Sequence, residues 1–96
     1  MKTIYKYSIP LWGATQKSFH IPNEAVLRSA AKEMIDGEAV VSMWFEVDTD
    51  RSTVKRTFAM VGTGHALSGY ELMYVGTVIA SPLVIHVYEV PNPKEN

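Results

Sequence analysis

The chain has 96 residues, 47% of them hydrophobic and 20% charged, with nine Lys and Arg against ten Asp and Glu for a formal net charge of −1. That length holds a single core with no second domain, and the proportions exclude a disordered chain. Duplex nucleic acid calls for a basic stripe that this chain lacks, and without cysteine it forms neither disulfides nor thiolate metal sites.

Thr3 to Ile9 alternates, with Thr3, Tyr5, Tyr7 and Ile9 on one face and Ile4, Lys6 and Ser8 on the other, which predicts a strand ended by Pro10 and Gly13. Lys6, Ser8 and Pro10 also interrupt any apolar leader segment. Ser18 to Ile21 is expected to be a short second strand, stopped by Pro22.

Asn23 to Gly37 supports two readings. As a helix, Asn23 caps it, Gly37 closes it, and the pairs Val26/Leu27, Ala30/Ala31 and Met34/Ile35 put an apolar stripe on one face. As a strand, Ala25 to Ile35 pairs with the next segment across Asp36-Gly37, a strong type I′ hairpin signal. Both readings stay open on the residues alone.

Ala39 to Val47 is too short and too β-rich to be anything but a strand. Asp48 to Ser52 is a polar turn, and Thr53 to Val61 alternates again, so the two strands are expected to form a hairpin. Gly62-Thr63-Gly64-His65 opens a loop running to about Gly69. Tyr70 to Ala80 resumes a strand with Gly76 as an expected bulge or close-packing point, Ser81-Pro82 turns the chain, and Leu83 to Val90 is the last strand. Residues 1–90 are thus expected to form one antiparallel β domain, a sandwich or open barrel of mainly β class, or α+β if a short helix forms at 23–36. Residues 91–96 read as a flexible polar tail. The longest apolar stretches fall short of the ~20 residues that cross a bilayer, so no membrane partner is expected.

Several pieces occur in a fixed order. They are Met1-Lys2-Thr3-Ile4-Tyr5-Lys6-Tyr7, Ile21-Pro22, Trp44 with Val47-Asp48, and Arg56-Thr57-Phe58 leading into Gly62-Thr63-Gly64-His65. Tyr74-Val75-Gly76-Thr77 and a closing Leu83 to Glu89 follow. This order resembles a small uncharacterised family common in phage and prophage genomes. The resemblance brings no established activity. It implies a short chain of strands in the cytoplasm of a bacterial host, with a strand after Ile21-Pro22, where Ala25 to Ile35 is longer and more helical in composition than the family pattern.

The Gly62-Thr63-Gly64-His65 loop is the foremost candidate site. Two glycines two apart allow positive φ and a nest of inward N–H groups that accepts an anion. Thr63 adds a hydroxyl, His65 a ring nitrogen that donates or accepts, and Arg56 or Lys55 is expected to supply charge. The run is neither a P-loop nor a dinucleotide fingerprint. Trp44 and Phe45 are adjacent on a strand and point to opposite faces, so Trp44 is a candidate for stacking a ring as well as for filling a core.

His20, His65 and His86 are far apart in sequence without ligand spacing, and Asp48 to Asp50 lacks the Gly and Glu of a calcium loop, so neither metal nor cofactor is expected. No catalytic constellation stands out. Three functions remain: a small non-enzymatic phage protein that sequesters a phosphorylated nucleotide signal and so counters host antiviral defence, a protein-interaction or structural accessory factor, or a hydrolase acting on a phosphorylated substrate. A homo-oligomer is expected, because Trp44-Phe45 and Leu83 to Tyr88 exceed what one small sandwich hides.

Overall fold

The computed structural model describes residues 1–13, 15–67 and 72–91, which form seven strands and no helix. They are β1 (Lys2–Pro10), β2 (Gln16–Pro22), β3 (Val26–Ile35), β4 (Glu38–Asp48), β5 (Thr53–Gly62), β6 (Met73–Ala80) and β7 (Leu83–Val90). All pairings are antiparallel and fall in two sheets, β1-β4-β3 and β2-β5-β7-β6, which stack as a sandwich and do not close into a barrel. Residues 70 and 71 of the strand expected from Tyr70, and residues 92–96 of the expected tail, lie outside the described residues.

The helix considered at 23–36 does not form. Residues 26–35 lie against β4 from Val26↔Glu46 to Ile35↔Glu38. Asp36 and Gly37 take φ of 50° and 79°, the two positive values of a type I′ turn. Tertiary pairing overrides helix propensity here, because β4 supplies ladder partners along the whole segment. A bulge between Leu27 and Ser29 shifts the alternation, which is why the sequence did not read cleanly as a strand.

The hairpin expected between residues 39–47 and 53–61 is also corrected. Both flanks of β4 are taken, by β1 and β3, so β5 joins the other sheet between β2 and β7. Asp48 to Ser52 is a crossing between layers. Its turn is tied elsewhere: Thr49 N–H donates to the Met1 carbonyl at 2.8 Å and Asn23 N–H to the Ser52 carbonyl at 2.8 Å.

Alternate residues of the two sheets meet in the core. Val41, Met43, Phe45 and Val47 from β4 face Phe58 and Met60 from β5 and Val87 from β7, with Ile9 and Ile21 filling the gap beside them. Phe45 and Phe58 sit with ring centroids 5.7 Å apart, and each such fully buried ring contributes roughly 3 kcal/mol. Trp44 points the other way, as expected, onto the outer face of the β1-β4-β3 sheet. There it is half-buried, with Lys6 Nζ 5.9 Å from its ring centroid. Beside it Ser42 is fully buried, donating to Glu33 Oε1 at 2.7 Å and bonded to the Ser8 hydroxyl at 2.8 Å. The bulge expected at Gly76 is present, since the register against β7 shifts between Tyr74 and Gly76.

Candidate functional site

The Gly62-Thr63-Gly64-His65 segment is a tight turn at the end of β5. His65 N–H donates back to the Gly62 carbonyl at 3.1 Å, and Gly64 has φ of 87° at the third position, the arrangement of a type II turn. Thr63 N–H donates to the Val84 carbonyl at 3.3 Å. Two of the amides expected to form an anion nest are therefore already bonded to the fold. The His65 ring folds back over Gly62: a Cβ there would lie 3.1 Å from Nδ1 and 3.2 Å from Cε1.

The pairing of β5 with β7 sets Val61 opposite His86, which brings the last strand up to this turn. His86 Nε2 lies 2.9 Å from the Thr63 hydroxyl and Nδ1 lies 3.1 Å from the Thr77 hydroxyl, so both ring nitrogens are held. Tyr74 OH braces Thr77 at 2.5 Å. Tyr88, two residues along the same face, meets the Tyr74 ring edge-on at 5.6 Å. The turn, Leu67, His86 and Tyr88 line an open pocket of about 240 Å³.

The other expected site residues are elsewhere. Arg56 faces the sandwich interior, where it makes two bonds to Glu89 at 2.7 and 2.8 Å and one to the Ala25 carbonyl at 2.9 Å. Its guanidinium also lies against the Phe45 and Phe58 rings, at 5.3 and 5.6 Å. Lys55 stands across from His20 toward the other end of β5, roughly 20 Å from the turn by strand rise. Trp44 is on the opposite sheet. Among the described residues no lysine or arginine lines the pocket, so its polar groups are the turn backbone, a hydroxyl, two imidazoles and a phenol.

His86 and Tyr88 are the pocket residues that sequence reasoning missed, and Thr77 and Tyr74 are the neighbours that brace them. Alternation in Leu83 to Val90 already put His86 and Tyr88 on one face; what it lacked was the β5–β7 pairing that sets this face beside the loop. Both nitrogens of the His86 ring face hydroxyls, those of Thr63 and Thr77, rather than a carboxylate. Hydroxyls, imidazoles and a phenol arranged in this way can hold a ligand. Among the described residues no three His, Asp or Glu gather as a metal site, and no helix is long and apolar enough to cross a membrane.

Fold and site together define a small all-β sandwich with an open polar and aromatic pocket at one end of one sheet. The chain belongs to DUF7352, a domain of unknown function, which it matches over residues 1–96. No curated protein and no solved structure matches it.

Proposed function

We propose that this protein is a non-enzymatic binding protein that holds a small molecule carrying a planar ring and a phosphate, in the pocket between the Gly62–His65 turn and the His86–Tyr88 face. The observation that carries this reading is a convergence. Residues more than twenty positions apart meet around one pocket, and two of them, His86 and Tyr88, are fixed by neighbours that do not line it. Stacking of a base on Tyr88 contributes roughly 1–3 kcal/mol, and the Thr63 hydroxyl, the Gly64 amide and His65 offer donors to a phosphate. In the phage setting that the sequence resemblance implies, the protein removes a nucleotide signal of host antiviral defence within the host cytoplasm.

Native mass spectrometry of the protein purified from bacteria, followed by calorimetry with nucleoside monophosphates, tests the reading. A retained or titratable nucleotide is expected, with affinity lowered about tenfold by Tyr88→Ala. Failure of every nucleotide to bind contradicts it.

A second reading is favoured by one observation. β6 is a sheet edge, and on it Met73, Tyr74 and Ile79 are 55%, 60% and 68% exposed. An apolar edge of this kind recruits another strand, either a second copy of the chain or a protein partner. Light scattering that gives a monomer of 10.7 kDa contradicts self-association through β6.

A further inference from the structure

The pocket at the turn does not end at His65. Across that ring lies a second open pocket of about 250 Å³, bounded by Thr15, Gln16, Met60 and Leu72, and the two share Val61 and His65 as a common wall. The two are of similar size, so a ligand that crosses His65 would have about as much room on one side as on the other. The wall is a built feature. The His65 ring lies close over Gly62, where an added Cβ would sit 3.1 Å from Nδ1, so glycine at 62 gives the ring room. The far side is fixed as well, because Met60 N–H donates to the Thr15 carbonyl at 2.8 Å and holds that segment against β5.

The two chambers differ in chemistry. The first offers the Tyr88 phenol ring and the His86 imidazole. The second offers the Gln16 side-chain amide, which donates and accepts on one group, together with the apolar Leu72. An aromatic face suits the flat side of a base, and an amide suits its edge.

We infer that the ligand is two-armed, a dinucleotide whose bases occupy the two chambers and whose phosphodiester passes His65. This rests on the reading of the pocket as a nucleotide site and adds to it the size and division of the ligand. Tyr88 stacks the first base, Gln16 meets the edge of the second, and His65 separates them and donates to the linking phosphate.

Calorimetry compares adenosine monophosphate with linear and cyclic diadenosine phosphodiesters, and then the same series with guanine. Joining two arms that bind separately is expected to make the better dinucleotide about 100-fold tighter than its monophosphate. Thr15→Trp, at an exposed residue of the second chamber alone, is expected to bring the dinucleotide down to the monophosphate level and leave the monophosphate unchanged, with circular dichroism confirming that the variant keeps its fold. Equal binding of the two forms, or no effect of Thr15→Trp on either, overturns the two-armed ligand and leaves a single-chamber nucleotide site standing. Absence of binding by every compound overturns both.

Discussion

Glu89→Ala removes the partner of Arg56 inside the sandwich, and its cost follows from what is left behind. The guanidinium loses two charge-assisted bonds at 2.7 and 2.8 Å and stays held between the Phe45 and Phe58 rings. Breaking a buried pair by removing one member costs roughly 3–5 kcal/mol. The side chains here are 22% and 16% exposed, so water reaches the stranded charge and the lower figure, about 3 kcal/mol, applies. That is a large part of the roughly 5–10 kcal/mol that stabilises a domain of this size. In urea, with a slope of about 1.5 kcal/mol per M, the unfolding midpoint is expected to fall by about 2 M. Arg56→Met combined with Glu89→Leu removes both charges and fills similar volume, and is expected to recover most of the loss. Single variants that each cost under about 0.5 kcal/mol, or a double variant that costs their sum, would refute the assignment of Arg56 to the core.

Glu33 gives a pH test. Its carboxyl is held below the ordinary carboxylate range, first by the Ser42 hydroxyl and then by the Lys6 ammonium. A folded value lowered in this way contributes stability that is present above the unfolded value near 4.5 and is lost as pH falls through the folded value. Ser42→Ala is therefore expected to raise the Glu33 titration seen by carbon NMR and to remove part of the acid-side loss of stability; an unmoved titration contradicts this. At the β3–β4 turn, Gly37→Ala is expected to cost roughly 1–2 kcal/mol because position 37 holds φ of 79°. Gly76→Ala, with open space at its Cβ and no positive φ, is expected to change thermal stability by only about 0.5 kcal/mol. Equal effects at the two glycines contradict the turn assignment.

Most of the strands were legible because period-2 alternation reports the two faces of a sheet directly, as in Tyr5, Tyr7 and Ile9 against Lys6 and Ser8. Residues 26–35 were not, because a bulge at the start of β3 and an alanine-rich composition imitate a helical stripe. Strand partnership was harder than strand existence. A short polar turn after Val47 looks like a hairpin, and nothing local says that both flanks of β4 are occupied. The same limit acted on the site. Arg56 lies in register with Val54, Phe58 and Met60, the face that turns out to be buried, so its interior role was written in the alternation. Glu89 shares a face with Ile85 and Val87 in the same way. Reading Arg56 as the ligand's cation gave weight to its distance from the loop in sequence rather than to its face. The Gly-Thr-Gly-His run was recognisable as the start of a loop, while its meeting with His86 and Tyr88 depends on the β5–β7 ladder, which no local pattern carries.

The pocket itself is tested most directly by following backbone amides in nitrogen-edited NMR spectra while adenosine monophosphate and the diadenosine compounds are added. Shifts are expected at Gly64, His65, His86 and Tyr88, extending to Gln16 and Leu72 only with the two-base ligands, while the outer face around Ser42 and Trp44 stays unchanged. Shifts centred on Trp44, or none at saturating nucleotide, would contradict a ligand site at the Gly62–His65 turn.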